Sequence, residues 1–441
     1  MYRSDALKDM ELYYGRMEEE AHDAGLLVPK DDLEVYLIEA RQLLAPLVFR
    51  GASERYAHWT FGKRAEIAAG LFEKKSVDQS EAFMPSSPAR LFLWNQMPIF
   101  RKLTVLARVL AYLDFASRNE IWSARDFNEV WQGVREHAKF VEELSRSPKV
   151  GQEKVRQVLT TAHAVVPQCA HTRMLRDRTD DLLEVIAEKS PKVEEWVRQL
   201  LLMVHKEWVW FLPMIETEVM LKGWGSWWQM RLVRSARLPP DLDFACAREF
   251  SRTLAIPPLG RLNPSLIGYR IFTSMHERWE KGEISEQHID EAVETRNDAT
   301  FLGDFLTQET ASKCGLFSWE RDKKSKGLLV VQELSDQEGW EKVRDALVLT
   351  VAGNRFPAFR VHTNTAWHLR LDHQFDGRVL DAEEAKGVIT HLRDLLGREI
   401  ELRRMVVDVN GSHDMRRDRI SPTLNFFGHL LPREIPTPPN E

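Results

Sequence analysis

The chain has 441 residues, of which 43% are hydrophobic and 29% are charged. This composition is typical of a folded globular protein and excludes wholesale disorder, a collagen-like repeat and an integral membrane protein. The formal net charge of −6 is too small to draw the whole chain to DNA or to an anionic membrane. The three cysteines lie far apart and form no CxxC pair, so neither a zinc site nor a disulfide framework is expected, and a reducing cytoplasm fits.

The region up to about residue 310 is predicted to be helical. Apolar residues recur at steps of three and four over 31–49, the spacing of one helix face. Asn263-Pro264 is a typical helix start, because Asn caps a helix and Pro fits its first turn. The same periodicity predicts further helices over 99–117, 127–144, 153–166, 180–187 and 193–211.

The pattern changes after residue 310. Two predicted helices, over 336–351 and 382–396, alternate with strands, in the order β-α-β-β-α-β of a ferredoxin-like fold. The strands are predicted over 327–333, over 359–372 either as one strand or broken near Asn364, at 378–380, and over 400–409. The sequence thus predicts a large helical domain over 1–310, a small ferredoxin-like α+β domain over 311–425, and an irregular proline-rich tail over 426–441.

No targeting or membrane segment is expected. The first twenty residues carry charges throughout and lack the apolar core of a secretion signal. The most apolar run, Leu200–Met214, is interrupted by His205, Lys206 and Glu207, so it is too short and too polar to cross a bilayer. These features predict a cytoplasmic protein.

The chain has no Walker loop, no GxGxxG after a strand, no HExxH and no GxSxG. Four other segments are candidates for a functional site, because each contains polar residues next to Trp, Gly or Pro. They are YAHWTFGK at 56–63, WNQMP at 94–98, LKGWGSWWQ at 221–229 and LNPSLIG at 262–268.

At these residues the chain resembles the stage V sporulation protein R (SpoVR) family. That family has Tyr-His-His-Trp-Ser-Phe-Gly-Lys, a Glu-Glu-Asn phrase before a helix with His-x-x-Gly-His, a Glu-Gly-Trp phrase followed by His, and an Asn-Pro helix. Here His58 and Lys63 stand in the first motif, and His163 matches a helix-borne family histidine. The motifs follow in the same order and at similar spacing, which makes the resemblance specific.

Most of the family's acidic and histidine positions have changed. Laid on the family pattern, the two glutamates fall on Asn95 and Gln96, and the two histidines of the next helix fall on Arg108 and Tyr112. The glutamate and histidine of the third motif become Lys222 and Gln229. The vestigial site therefore comprises His58, Lys63, Asn95, Gln96, Arg108, Tyr112, His163, Lys222 and Gln229.

Glutamates and histidines on neighbouring helices are typical of a metal or acid–base site. Amides cannot ionise, and Lys or Arg at such positions places positive charge where a cation would bind. We therefore expect a non-catalytic family member, a pseudoenzyme, with no metal and no other cofactor. The alternative is a metal-dependent hydrolase-like enzyme with a site rebuilt around His58, His163 and Lys222, in which the two histidines would be the metal ligands.

Each candidate also has a purely structural interpretation. His58 would be a hydrogen-bonded packing residue and His163 a core histidine. Lys222 would reach solvent or pair with a glutamate at 216, 218 or 120, and Arg108 would pair with Asp114 or Glu120. Asn95 and Gln96 would hydrogen-bond to helix ends or to one another.

The resemblance implies a regulatory or scaffold role in bacterial sporulation or in stress and stationary-phase physiology. It also implies protein partners: a PrkA-like AAA kinase, a von Willebrand A-type protein, or an intact SpoVR paralogue. Binding would use the tryptophan-rich helices near 208–228 or the α+β domain. Nucleic-acid binding is not expected, because the outer strands of that domain lack aromatic residues and the arginines near the end of the chain are mixed with acidic residues.

Overall fold

The computed structural model describes most of the chain, in fourteen segments. The described residues are 2–29, 33–48, 55–56, 58, 81–166, 181–191, 193–259, 261–321, 329–352, 358–363, 368–374, 380–407, 413–424 and 430–435.

Helices dominate these segments, as predicted. They are α1 Tyr2–Asp23, α2 Ala40–Val48, α3 Ile99–Arg118, α4 Glu120–Ser123, α5 Phe127–Arg146, α6 Gln152–Val165, α7 Leu182–Lys189, α8 Glu195–Glu216, α9 Glu218–Ser235, α10 Pro240–Thr253, α11 Pro264–Glu280, α12 Glu286–Thr295, α13 Asp298–Phe305, α14 Gln308–Lys313, α15 Trp340–Ala352 and α16 Ala382–Leu396. Among the described helices, none has both the length and the apolar character needed to cross a membrane.

The strands belong to three sheets. They are β1 Leu33–Ile38, β2 Glu81–Met84, β3 Ala89–Trp94, β4 Phe317–Arg321, β5 Leu329–Leu334, β6 Ala358–Thr363, β7 Leu369–Gln374, β8 Ile400–Val407, β9 His413–Leu424 and β10 Leu430–Ile435. The strand orders are β1-β3-β2, β4-β5 and β10-β9-β8-β7-β6.

The chain forms two compact units, each assembled from separate stretches. Unit 1 comprises Met1–Glu54, Phe61–Gln132 and Glu216–Val348. Unit 2 comprises Arg55–Thr60, Gly133–Ile215 and Leu349–Glu441. The predicted division into a helical domain over 1–310 and an α+β domain over 311–425 stays a prediction.

The helix predicted over 31–49 is wrong for its first half. Leu33–Ile38 forms β1, which pairs in parallel with β3, and only Ala40–Val48 is helical. In β3, which was not predicted, the buried residues Ala89, Leu91 and Leu93 alternate with more exposed ones, the period of two that is typical of a strand. A run of Val, Tyr, Leu and Ile suits a strand beside such a partner, so pairing overrides the helical spacing.

The core of unit 1 forms around α3, whose long apolar face packs against α1, α9 and α10. α9 also crosses α11 at very short range. A Cβ at Gly223 would lie 2.4 Å from the Cα of Gly268, so the crossing requires glycine on both helices. α11 begins where predicted, because the Asn263 side chain accepts a hydrogen bond from the Leu266 amide at 3.3 Å.

A distant carboxylate holds the first turn of α9. The two oxygens of Asp298 accept hydrogen bonds from the backbone amides of Val219 and Met220, each at 2.9 Å. The first backbone amides of a helix have no acceptor within the helix. Asp298, which lies 78 residues after Met220, supplies the acceptor oxygens for two of them in α9. The carboxylate also complements the positive end of the helix dipole.

Unit 2 contains the five-stranded sheet and α16. β6 and β7 pair antiparallel, so the predicted strand over 359–372 is two strands, one of the two alternatives that the sequence left open. β7 also pairs in parallel with β8. α16 has the predicted bounds, since Asp381 caps it and Gly397 ends it with φ +62°. The predicted strand at 378–380 lies largely outside the described residues.

The mixed α/β character of the C-terminal region is therefore confirmed. A ferredoxin-like sheet would place the first strand beside β8, but β8 lies between β9 and β7, and the described partner of β5 is β4, in unit 1. The ferredoxin-like strand order is therefore not confirmed. Part of the tail predicted to be irregular, Leu430–Ile435, forms β10 against β9.

Candidate functional site

The structure places five of the predicted site residues, His58, Arg108, Tyr112, His163 and Lys222, in two polar clusters, one in each unit. Lys63 lies outside the described residues. We use the name Tyr112 cluster for Glu81, Arg108, Tyr112, Glu218 and Lys222, in unit 1. We use the name Glu207 cluster for Arg55, Tyr56, His58, His137, His163 and Glu207, in unit 2.

Arg108 in α3 forms an ion pair with Glu81 in β2, with 2.7 Å between Nη2 and Oε1. The prediction of Asp114 or Glu120 as its partner was wrong. Asp114 instead binds Arg118 and accepts a hydrogen bond from Trp224 Nε1. The partner of Arg108 could not be foreseen, because β2 itself was not predicted.

Lys222 pairs with Glu218, one turn earlier in α9, at 2.7 Å. Glu218 is one of the three partners that the sequence suggested. The Lys222 side chain is 35% exposed, so the ammonium group is partly hydrated as well as paired. This environment differs from the apolar pocket that a nucleophilic lysine requires.

Tyr112 lies between these two ion pairs. Burial raises the pKa of its hydroxyl; the nearby charges of Arg108 and Lys222 lower it, and those of Glu81 and Glu218 raise it. The structure therefore brings together three positions that the sequence singled out: Arg108, Tyr112 and Lys222. The ring also contacts Phe83, with 6.0 Å between the ring centroids.

The other three predicted positions in unit 1 differ in their surroundings. Gln229 is fully buried, and neither atom of its amide has a hydrogen-bond partner. Asn95 also has a buried side-chain oxygen without a partner, so the predicted side-chain hydrogen bond is not made by that oxygen. Gln96 is exposed.

In unit 2, His58 and His163 lie together, with ring centroids 4.8 Å apart. His58 is buried, and its Nε2 lies 3.3 Å from the Thr160 hydroxyl. Burial, followed by the charge of Arg156, lowers the pKa of His58 to about 4, so this imidazole is neutral at neutral pH.

Tyr56 links His163 to a buried carboxylate. Its hydroxyl oxygen lies 2.9 Å from His163 Nε2 and 3.4 Å from Glu207 Oε2. Burial, followed by the Glu207 charge, raises the pKa of Tyr56 well above its usual value. The phenol therefore stays protonated and available for a hydrogen bond.

Glu207 is the centre of this cluster. Its side chain is only 1% exposed; it forms an ion pair with Arg55 and accepts a hydrogen bond from His137 Nδ1 at 3.0 Å. Burial alone would raise the pKa of Glu207, but Arg55 and His137 outweigh burial and hold it below its usual value. An ionised carboxylate thus sits in the interior of unit 2.

Arg55, His137 and Glu207 were not among the predicted site residues. Glu207 interrupts the most apolar run of the chain, Leu200–Met214. A lone carboxylate in an apolar helix signals a buried ion pair, because an unpaired charge there would be too costly. That signal could have identified Glu207, although not its partners.

The Tyr112 cluster consists of paired charges of both signs, and the Glu207 cluster consists of imidazoles, a phenol and a clamped carboxylate. The second set can exchange protons at a histidine, whereas the charges of the first set are neutralised by one another. Within the part of the chain that the structure describes, no three His, Cys, Asp or Glu side chains are grouped so that they could hold a metal ion.

Fold and clusters define a mainly helical protein with a C-terminal α/β region and a buried polar cluster in each compact unit. The family model for SpoVR like protein matches residues 4–177 and 167–355, and the chain belongs to the SpoVR family. It is also 19% identical over 386 residues to the uncharacterized protein YcgB of Escherichia coli (strain K12), an alignment covering 71% of this chain and 75% of that protein. No solved structure matches the chain.

Proposed function

We propose that this chain is a SpoVR-family protein without catalytic activity, acting in the cytoplasm as a regulatory or scaffold protein in sporulation or in stress and stationary-phase physiology. The observation that carries the proposal is the Tyr112 cluster. At positions where the family pattern has Glu and His, this chain has Arg108 and Lys222, and each is paired with a carboxylate.

Electrostatics explains why these pairs oppose metal binding. A divalent cation near Tyr112 would meet two positive side chains, and the two available carboxylates are already neutralised by them. Binding would require both ion pairs to break. Gln229, where the family has His, offers an amide in place of an imidazole, which is a poor ligand for zinc and similar metals.

An exposed apolar surface in unit 1 supports a role in protein binding. An open cleft lies beside the loop that precedes α11, close to the start of β4. Its lining includes Ile256, Leu259, Leu262 and Trp319. These side chains are 37–76% exposed. The tryptophan-rich α9 is less suited to this role, because Trp224 and Trp228 are buried. Contiguous exposed apolar surface of this kind is typical of partner-binding sites.

The candidate partners are a PrkA-like AAA kinase, a von Willebrand A-type protein and an intact SpoVR paralogue. Purified chain should bind one of them, and Leu259→Asp should weaken binding by at least about tenfold through loss of apolar contact. Phe244→Asp is the matched control, since Phe244 is 69% exposed in α10 but does not line the cleft. Equal loss in both variants, or binding to none of the three proteins, contradicts the scaffold proposal.

Elemental analysis of tag-free purified protein tests the loss of metal chemistry. We expect transition metals far below one ion per chain. A content near one ion per chain would overturn the proposal for a non-catalytic protein. His58→Ala and His163→Ala would then show whether the Glu207 cluster holds the metal.

The second candidate function is a metal-dependent hydrolase-like enzyme with a rebuilt site around His58, His163 and Lys222. The close approach of the two histidines beside Tyr56 and Glu207 favours it. Lys222 supports it less, because its ammonium pairs with Glu218. Hydrolysis of ester or phosphoester substrates that disappears in each of His58→Ala, His163→Ala and Lys222→Ala would favour this candidate.

A further inference from the structure

The outer edge of β1 has no described strand beside it. β1 lies at one end of the sheet β1-β3-β2, and within the described part of the chain it pairs with β3 alone. The carbonyl oxygen of Ile38 accepts a hydrogen bond from the Asn95 amide at 2.8 Å, so the backbone of Ile38 is directed toward β3. In a parallel pair these directions alternate along the strand, so the backbone groups of Val35 and Leu37 are directed outward. This edge therefore presents backbone donors and acceptors to a further strand.

The order of the elements indicates what kind of segment completes this edge. β1, α2, β2 and β3 follow one another along the chain; β1 is parallel to β3, and β2 is antiparallel to β3. This is the arrangement of the first half of a β-α-β-β-α-β sheet. In the complete sheet the last strand lies antiparallel to the first strand, along its outer edge. An extended segment antiparallel to β1 therefore fits the open position.

The side chains of β1 are suited to contact with such a segment. Five of its six residues are hydrophobic, yet none is buried, and Val35 and Tyr36 are 36% and 39% exposed. Successive residues of a strand point to opposite faces, so β1 offers hydrophobic surface on both faces of the sheet. β1 also lacks Lys and Pro, with which natural edge strands prevent pairing.

The Tyr36 ring is held in place on one of these faces. It stacks on Phe92 of β3, with 5.2 Å between the ring centroids, and its hydroxyl donates a hydrogen bond to Glu34 at 2.6 Å. Glu34 in turn forms an ion pair with Arg90. A side chain of an added strand would pack against this ring with little loss of conformational entropy, because the ring is already ordered.

We propose that the outer edge of β1 binds an extended segment of a partner protein, which joins the sheet as a fourth, antiparallel strand. The segment carries hydrophobic side chains against Val35 on one face and Tyr36 on the other, and it has no proline where it pairs. A second copy of the chain is a poorer occupant, since two paired six-residue strands bury far less than the roughly 1,200 Å² of a stable interface. The inference goes beyond the scaffold proposal, whose cleft is lined by other residues.

Selection from a phage-displayed library of random peptides tests the proposal on the purified full chain. We expect the enriched peptides to have hydrophobic residues in an extended, proline-free stretch. Val35→Pro removes an outward amide and leaves the pairing with β3 intact, so it should weaken binding of these peptides by about tenfold or more. Val35→Thr keeps the amide and the branched shape; it is the matched control and should bind within about threefold of the wild type.

Amide hydrogen exchange of the wild-type chain gives a second measurement that needs no variant. In the free chain the Val35 and Leu37 amides should exchange rapidly, and the Tyr36 amide, which is directed toward β3, should exchange slowly. An enriched peptide should protect the Val35 and Leu37 amides and leave that of Tyr36 unchanged.

Three results would overturn the proposal: no enriched peptide, equal binding of the peptides by Val35→Pro and wild type, or Val35 and Leu37 amides that are already protected in dilute free chain. Protection that appears without peptide and rises with protein concentration would also overturn it, in favour of a second copy. Peptides that lose affinity only in Leu259→Asp bind the cleft, so the strand edge and the scaffold proposal fail separately.

Discussion

The ring of Tyr112 in α3 lies directly against Gly225 in α9. A Cβ placed on Gly225 would be 2.4 Å from Tyr112 Cε1, which is shorter than any normal contact. The tyrosine at a family histidine position and the glycine opposite it are therefore coupled. Gly225 cannot be enlarged without a shift of the Tyr112 ring.

Gly225→Ala should destabilise the protein by about 1–3 kcal/mol, because the added methyl group overpacks a buried helix crossing. Denaturant unfolding measures the change. Gly15→Ala in α1 is the control, since a Cβ there meets no atom within 4 Å and alanine favours a helix. A Gly225→Ala variant as stable as the wild type would contradict the contact.

Arg108→Leu should lower the free energy of unfolding by about 1–2 kcal/mol, because the partly buried Glu81 carboxylate would lose its ion pair with Arg108. The value allows for partial hydration, as the two side chains are 14% and 22% exposed. The matched change is Arg146→Leu, which breaks an ion pair with Glu142 whose members are 77% and 57% exposed. That variant should lose less than about 0.5 kcal/mol, and equal losses would argue against a buried role for Arg108.

Asp298→Ala should cost about 2 kcal/mol, since it leaves the amides of Val219 and Met220 buried without acceptors. Asp381→Ala removes a comparable cap from α16 at an exposed position, where water replaces the lost oxygen. We expect a loss of about half as much there. Thermal and denaturant unfolding of both variants measure the difference. An Asp298→Ala variant with the free energy of unfolding of the wild type would show that α9 does not depend on this carboxylate.

The stability of the protein should fall as the pH is lowered from 6.5 toward 4, partly because of His58. Its pKa is about 4 in the folded protein, against an ordinary value of 6.5, so the unfolded chain binds the extra proton first. The contribution of His58 is present above pH 6.5 and decreases by about 2 kcal/mol by pH 4. His58→Gln should show a flatter dependence of the unfolding free energy on pH; parallel curves for wild type and variant would refute the assignment.

The helices could be predicted well because their signals are local. α3 and α16 have the predicted bounds within one or two residues, since apolar periodicity and end residues such as Asp381 and Gly397 lie within the helix or next to it. The first helix failed for the opposite reason. Leu33–Ile38 has both helical spacing and strand composition, and pairing with β3, more than fifty residues later, decides between them.

In the site, too, contacts between neighbouring residues could be predicted and contacts between distant residues could not. Lys222 and Glu218 are one helical turn apart, and their pairing could be read from spacing alone. Arg108 and Glu81 are 27 residues apart, and Arg55 and Glu207 are 152 apart. No local pattern specifies such pairs. Only the residue types, a charge within an apolar stretch, indicate that a partner must exist.

The discontinuous units also affect how the chain can fold during synthesis. α3 leaves the ribosome early, yet its partner Trp224 follows Asp114 by 110 residues, after 133–215 of unit 2 have emerged. The apolar face of α3 therefore stays uncovered until α9 has been synthesised, and a segment of the other unit is synthesised in between. Such long-range closure slows folding and leaves hydrophobic surface exposed in the nascent chain, so production in cells should depend on chaperones and improve at lower temperature.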